Sequence, residues 1–447
     1  MIVDTALNER HDAGNPVRVG LVGAGFMGRS MTRQMLQFTH GMRVVAIANR
    51  TIERAERCFA DAGAGSAQRV DDLDALGAAI ERGTPAVTQD PFLLCQARQI
   101  DVILEATGEL EHGTQVAEAA IAGGKHLVLV NAELDATVGP ILKVHADRAG
   151  VVISNADGDE PGVAMNLVRF VRAIGVQPVM AGNVKGFLDP YRNPDTQRGF
   201  ADKWGLSAKM ATSFADGTKQ SMECTVLSNA TGFRVARRGM SGHSVSHVRE
   251  VLSVVDTHAL VREPLVEYLL GAEPGSGAFT VGYDPDPDRA SYMEYFKMGP
   301  GPLYVFYRPF HLTHLEAPLS VARAALFRDP TITPLGAPVS EVVAIAKRDL
   351  QVGEELDGVG GYACYGSIDR AEVARAENIL PMGLTDGAVL RRPVTKDQAL
   401  TLDDVDLPAH RRIDELWEEQ ARHFALLDDN AVMPSSAEVA VESGSPA

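Results

Sequence analysis

The order of apolar and polar positions along the first third of the chain switches between two periods. Val17-Arg-Val-Gly-Leu-Val22 reads as a buried strand and runs straight into Gly23-Ala24-Gly25-Phe26-Met27-Gly28. A 3.6-residue pattern then predicts a helix over residues 29–38, followed by a strand over 43–48. Helical patterning returns at 51–61 and 111–122, and short apolar runs at 85–90, 101–106 and 126–130 predict strands. Residues 71–82 read as an extra helix inserted in this series. Strands alternating with helices of about ten residues predict an α/β fold built on a parallel, doubly wound sheet of Rossmann type.

After Val151-Val-Ile153, a further apolar run, the pattern loosens. Helical segments at 161–173 and 219–229 mix with aromatic-rich strands such as Pro302-Leu-Tyr-Val-Phe-Tyr307, which predicts an α+β domain. A helix over 317–327 is placed to return to the first domain. Beyond about residue 338, glycine-rich and β-patterned stretches predict a small β-rich module, closed by an amphipathic helix over 411–427. The expected division is a dinucleotide-binding domain over 1–155, a catalytic and dimerisation domain over 156–335, a C-terminal module over 336–430, and a disordered tail over 431–447.

Composition narrows the function. A length of 447 residues with 45% hydrophobic and 23% charged positions suits a soluble chain of about two or three domains. The net charge of −17 opposes binding to nucleic acid or an anionic membrane, yet leaves room for a small anionic substrate in a local basic pocket. Cys58, Cys95, Cys224 and Cys364 are widely spaced and form no CxxC pair, as expected of a reducing compartment. The first sixteen residues read as a polar arm without a signal-peptide core, and a cytoplasmic location is expected.

The glycine motif gains weight from its place. It follows a strand, opens a helix, and precedes a second strand, the context that a dinucleotide site requires. Gly23 allows the tight turn, Gly25 the close approach of pyrophosphate, and Gly28 the packing of helix on strand. The helix N-terminus then offers free N–H groups to the phosphates. The second strand ends Asn49-Arg50, where a carboxylate would bond a ribose 2′-hydroxyl. Its absence, together with the arginine, favours NADPH over NADH; the alternative is a solvated arginine in a first helical turn. Thr107 and Gly108, and Asn131 and Glu133, end later strands at the same sheet edge and are expected to line the nicotinamide side.

The stretch Asn155-Ala-Asp157-Gly-Asp159-Glu160-Pro-Gly162 follows the last strand of that sheet. Asp157 and Asp159 flank one glycine, so an extended backbone would point both the same way. Carboxylates that close repel unless a cation or proton lies between them, which points to Mg²⁺ or Mn²⁺. The alternative is an acidic cap on the helix beginning at Pro161. Further on, Asp216 reads as a cap, with Lys219 and Glu223 at i, i+4 on a mostly apolar helix; Glu223 is the expected third metal ligand. Lys185, Arg192 and Lys209 are candidate contacts for a substrate anion. His311 and His314 read as core or turn residues rather than ligands. The C-terminal module shows no titratable cluster and is expected to shape the cleft mouth or a dimer interface.

These motifs, VGLVGAGFMG, NADGDEPG, FADGTKQSMEC and Tyr307-Arg-Pro-Phe-His-Leu312, resemble the homoserine dehydrogenase-related oxidoreductases that carry a C-terminal SAF module. The resemblance covers about residues 15–430 and is strongest to the deoxyxylulose-phosphate reductoisomerase-like (DRL) branch. It implies conversion of 1-deoxy-D-xylulose 5-phosphate to 2-C-methyl-D-erythritol 4-phosphate with NADPH and a divalent metal. On that likeness Asp157, Asp159 or Glu160, and Glu223 would hold the metal. Lys219 would donate a proton or anchor the substrate. Asn131-Ala-Glu133 lacks the lysine of homoserine dehydrogenases at that place, which disfavours oxidation of homoserine. Homoserine or another small polyol or sugar acid stays as the alternative substrate, and a NADP-binding regulatory protein as the alternative class. A homodimer is expected.

Overall fold

The seven strands of the first sheet are all parallel, so every connection must cross one of its faces, and helices cover both. A computed structural model describes residues 2–428; the tail expected at 431–447 lies outside the described residues. The strands are β1 (Val17–Val22), β2 (Met42–Ala48), β3 (Gln68–Arg69), β4 (Ala86–Thr88), β5 (Val102–Glu105), β6 (His126–Leu129) and β7 (Ile153–Asn155). Their order is β3-β4-β2-β1-β5-β6-β7. The order reverses between β1 and β5, and the crevice above that switch point is where a ligand binds such sheets. The central strands are apolar on both faces; Val19, Leu21, Ile103 and Leu104 are fully buried.

The helices of this region are α1 (Ile2–Asp12), α2 (Phe26–Gln37), α3 (Ile52–Asp61), α4 (Leu73–Glu81), α5 (Pro91–Gln96), α6 (Leu110–Ala122) and α7 (Ala132–Ala149). Three depart from expectation, one of them the short α5, where no helix was predicted. The polar N-terminal arm is a helix, because Val3 and Leu7, one turn apart, are buried. The long α7 was not predicted: it is buried along most of its length and has Pro140 inside, so its composition carries no amphipathic period.

The second region begins with α8 (Glu160–Ala173), β8 (Gln177–Lys185), α9 (Pro194–Trp204), α10 (Ala208–Ala215) and α11 (Thr218–Thr231). It continues with β9 (His243–Ser244), α12 (Thr257–Arg262), β10 (Leu265–Leu270), β11 (Ala278–Tyr283), α13 (Pro287–Tyr295), β12 (Leu303–Arg308) and α14 (Thr313–Ala322). Its five-stranded mixed sheet has the order β12-β11-β8-β10-β9. Helix α14 does return to the first domain: Ala317 and Val321 share a buried cluster with Met31 and Met35. The remaining elements are β13 (Ser340–Ala346), β14 (Cys364–Arg370), α15 (Ala371–Ala376), β15 (Val389–Leu390), β16 (Val405–Asp406) and α16 (Arg412–Asp428). Strands β13 and β14 pair antiparallel.

Helix α11 is the hub. It packs on α7, α8 and the β13–β14 pair, and almost every one of its residues is buried, polar ones included. Buried polar side chains need partners, so this helix selects what surrounds it. No helix among the described residues is long and apolar enough to cross a membrane.

Candidate active site

The glycine loop is shaped by what its side chains would strike. Gly23 has φ +106°, and a Cβ there would lie 2.6 Å from the Ala106 carbonyl oxygen. A Cβ on Gly28 would lie 2.1 Å from the Gly23 carbonyl oxygen, whereas one on Gly25 would meet no atom within 4 Å. Gly23 and Gly28 are thus required by the protein, while Gly25 leaves open space beside the start of α2. That is the cradle a pyrophosphate fills, and the residues present fit a dinucleotide. The Ala24 N–H donates to Asn49 Oδ1 at 3.0 Å, and Asn49 Nδ2 donates to the Thr51 carbonyl at 2.8 Å. Asn49 therefore pins the loop to the end of β2. Arg50 is exposed, and its guanidinium has no partner among the described residues. Phe26 is half-exposed and Met27 partly buried at the mouth.

At the far side of the switch point, β5 ends in Glu105, which is fully buried. Its Oε1 accepts from the Thr107 N–H at 2.8 Å and from the Thr107 hydroxyl, while Oε2 has no hydrogen-bond partner among the described residues. Burial raises its pKa from 4.5 to about 7 against the pull of those bonds. Gly108 turns at φ +69°. Asn131 caps α7, accepting from the Leu134 N–H at 3.2 Å.

Sequence reasoning assigned Glu133 to the nicotinamide; the structure pairs it with Lys219 at 3.4 Å. Lys219 lies 4.0 Å from Glu223 one turn on. Lys185 ion-pairs with Glu160, and with Glu223 at 3.1 Å. Asn183, on the same side of β8 as Lys185, donates to Glu160 at 2.5 Å and receives a bond of 2.5 Å from Gln220. His311 Nε2 lies 3.4 Å from Glu160, with Nδ1 3.3 Å from the Gly158 carbonyl. Two ammonium groups thus sit among Glu133, Asp159, Glu160 and Glu223, all nearly sealed from solvent.

The charges push these groups apart. Burial and the neighbouring Glu223 carboxylate raise Glu160 well above the carboxylate range, although Lys185 opposes them. Burial also acts upward on Glu223, but Lys185 and Lys219 together hold it at about 2. Burial disfavours the Lys219 ammonium, yet Glu133, Asp159 and Glu223 outweigh that and raise its pKa. Burial raises Asp159, with Lys219 as the main opposing influence. Asp159 Oδ2 and Gln220 Oε1 are buried acceptors without a donor among the described residues.

The expected metal set does not assemble. Gly158 turns at φ +77°, so Asp157 and Asp159 diverge instead of pointing the same way. Asp157 accepts from Asn166 Nδ2 at 2.8 Å and from the Gly158 N–H, and its own N–H donates to Ser320 at 2.7 Å. It fastens the turn to α8 and α14. Around Asp159, Glu160 and Glu223, the ammonium groups stand where a cation was expected. Among the described residues no group of three or more His, Cys, Asp or Glu side chains is disposed to hold a metal ion. The residues present do not fit Mg²⁺ or Mn²⁺.

Two candidate anion contacts are engaged elsewhere. Arg192 pairs with Asp189 at 3.1 Å, and Lys209 donates to the Asp357 carbonyl at 2.5 Å. Lys185 belongs to the cluster. Asn183, Gln220 and His311 were missed as site residues. Asn183 and Lys185 sharing one strand face was the available signal for the first; His311 is joined to Glu160 only by the fold.

Residues 23–153 match the family described as homoserine dehydrogenase, NAD binding domain, and residues 158–317 match oxidoreductase DRL, catalytic domain. The chain therefore carries an NAD-binding domain followed by an oxidoreductase catalytic domain. A SAF module is not among these matches. Inositol 2-dehydrogenase 4 of Saccharopolyspora erythraea is 37% identical over 121 residues, 26% of this chain and 36% of that protein. The chain thus spans about a third of the length of that curated relative. Two similar solved structures are a homoserine dehydrogenase from Thiobacillus denitrificans and a myo-inositol dehydrogenase from Lactobacillus casei. The first is 14% identical, covering 87% of this chain and 99% of that one, with a TM-score of 0.38. The second is 14% identical, covering 60% and 72%, with a TM-score of 0.33. The sheet order, rather than these likenesses, carries the fold.

Proposed function

We propose that the protein is an NADP-dependent oxidoreductase that reduces the carbonyl of a small hydroxyl-bearing substrate, with Lys219 as the proton donor. The observation that carries this reading is the reach of Lys219. From α11 it bridges Glu133, at the cofactor edge of the first sheet, and Glu223, in the charged cluster. A carbonyl carbon between the two regions would have the cofactor on one side and an ammonium on the other. When bound, NADPH supplies the hydride.

The direction of the Lys219 shift favours reduction. Three carboxylates keep it protonated, and the alkoxide oxygen left by hydride addition is a stronger base than a lysine amine. Oxidation would require that lysine to be neutral, which the same carboxylates oppose. The unpartnered Asp159 Oδ2 and Gln220 Oε1 call for donors from the ligand, as hydroxyl groups provide. Lys185 is the second cation available to a substrate oxygen. For the cofactor, Arg50 with its free guanidinium favours a 2′-phosphate.

The narrower reading is the reductoisomerase, favoured by the match to the DRL catalytic domain. Adjacent oxygens of 1-deoxy-D-xylulose 5-phosphate must be held by positive charge as the skeleton rearranges. Lys185 and Lys219 are the charges this site offers. The test is NADPH oxidation with that ketose phosphate, with Mg²⁺ or Mn²⁺ and with chelator. NADP⁺ reduction by myo-inositol and by homoserine would be followed in parallel. Oxidation that survives chelation supports both readings; oxidation that needs the metal refutes the lysine-only site. Activity confined to the alcohols would overturn the reductoisomerase.

A further inference from the structure

The C-terminal module meets the cleft through one buried lysine. The Lys347 side chain, just past β13, is 4% exposed. Its ammonium has three acceptors: Asp216 Oδ2 at 2.8 Å, the Arg192 carbonyl at 2.7 Å and the Gly361 carbonyl at 2.7 Å. That matches its three N–H bonds. The acceptors come from three segments: the turn before α11, the stretch after β8, and the glycine-rich loop before β14.

The turn before α11 passes this constraint on. Asp216 uses its other oxygen to accept from the Thr218 N–H at 2.8 Å, in the first turn of α11. The Thr218 hydroxyl oxygen accepts from the Gly366 N–H at 2.8 Å, and the Ser221 hydroxyl donates to the Gly366 carbonyl at 3.1 Å. A Cβ on Gly366 would lie 2.9 Å from the Thr218 methyl, so strand and helix are in close contact. Lys219 lies between the two anchored residues. Arg192 and Asp216, within the segment 186–217 that joins β8 to α11, are held by the same ammonium.

We infer that Lys347 is a positioning residue for Lys219, and that the C-terminal module is through it a working part of the active site. This rests on the reading of Lys219 as proton donor. A purely structural pair would cost stability and leave turnover of the folded protein unchanged. A positioning role lowers turnover in protein that is folded and binds cofactor.

The experiment uses the full chain carrying Lys347→Met with Asp216→Asn, so that no buried charge is left unpaired. Bound NADPH, counted by fluorescence, gives the number of folded sites. The expected result is NADPH affinity within about twofold of the parent and kcat per site lower on the order of 10–100-fold. Amide exchange is expected to quicken in 186–193 and 218–222 while β1 and β5 stay protected. A kcat per site within about twofold of the parent overturns the inference. If the parent turns over none of the substrates tried, the functional reading fails separately and exchange alone decides. Quickening confined to those two segments then upholds the clamp, and unchanged exchange refutes it. If the double variant does not fold, Asp216→Asn alone serves: it keeps the bond from the Thr218 N–H, and the Lys347 ammonium, though deprived of its carboxylate, keeps the Arg192 and Gly361 carbonyls. There a several-fold loss of kcat is expected, and parental kcat overturns the inference.

Discussion

Glu105 and Glu223 face the two sides of the cleft, and both are buried almost completely. Glu105, on the cofactor side, has the Thr107 N–H and hydroxyl for company and no ammonium group, and burial raises it to about 7. On the proposed substrate side Glu223 is equally sealed, yet Lys185 and Lys219 hold it at about 2. Burial alone thus decides nothing; the charges brought to the same place do. The difference extends to how each side is built. The cofactor side is a backbone cradle shaped by absent side chains. The substrate side is an assembly of charged side chains from α7, α8, β8 and α11, with His311 after β12.

The largest expected effect lies on the side built from charges. Lys219→Met removes the proposed proton donor and is expected to lower kcat on the order of 10²–10⁴-fold. NADPH binding, measured by fluorescence, is expected to stay near parental, because the cradle contributes none of that ammonium's partners. Loss of NADPH affinity in step with kcat would mean the two sides are not separable.

The glutamate pair also predicts opposite pH responses. Glu105 keeps its proton in the folded chain up to about 7 and loses it near 4.5 when unfolded. Stability from this group is therefore complete below 4.5 and is lost as pH rises through 7, on the order of 3 kcal/mol in all. Glu223 has the reverse sign: its contribution is present above 4.5 and is lost as pH falls through about 2. Glu105→Gln keeps an acceptor for Thr107 and removes the titration. Its melting temperature is expected to exceed the parent's at pH 8 and to converge with it near pH 4. Parallel melting curves across that range would show that Glu105 does not titrate there.

How much of each side was legible follows from the same contrast. The glycine loop was readable because its requirements are local: six consecutive residues between a strand and a helix. The parallel alternation up to β7 was readable for the same reason. The charged cluster draws on residues from Glu133 to His311, and only the Lys219–Glu223 spacing lies within one helix. Asp157 and Asp159 were placed together on the assumption of extended backbone, which Gly158 breaks with its positive φ. The count of carboxylates was readable, but the ion between them was not, because Lys185 arrives from another strand. His311 went the same way. Helix α7 escaped notice because a helix buried on most sides has no polar stripe.

Within the cradle two glycines separate fold from function. Gly28→Ala would put a Cβ 2.1 Å from the Gly23 carbonyl oxygen and is expected to cost about 1–3 kcal/mol of stability. Gly25→Ala meets no protein atom within 4 Å and is expected to change stability by less than about 0.5 kcal/mol. It is nevertheless expected to weaken NADPH about tenfold or more by filling the pyrophosphate space. Thermal melts beside NADPH titrations of both variants check this. Equal behaviour of the two would mean the open space beside Gly25 is not the phosphate site.

The smallest effect belongs to Arg50, an exposed charge with no partner among the described residues. Asn49 is already committed to Ala24 and Thr51, so on the proposed reading discrimination at the adenosine ribose would fall to the guanidinium. A charge-assisted bond to a 2′-phosphate supports about a tenfold preference. Arg50→Ala is expected to raise the KM for NADPH by about that factor, with the KM for NADH and kcat unchanged. Salt would shrink the parent's preference, because an exposed arginine is screened, and would leave the variant's ratio flat. An equal rise for both cofactors would instead make Arg50 a solvated residue ahead of α3, and any preference for NADPH would have to come from elsewhere in the cradle.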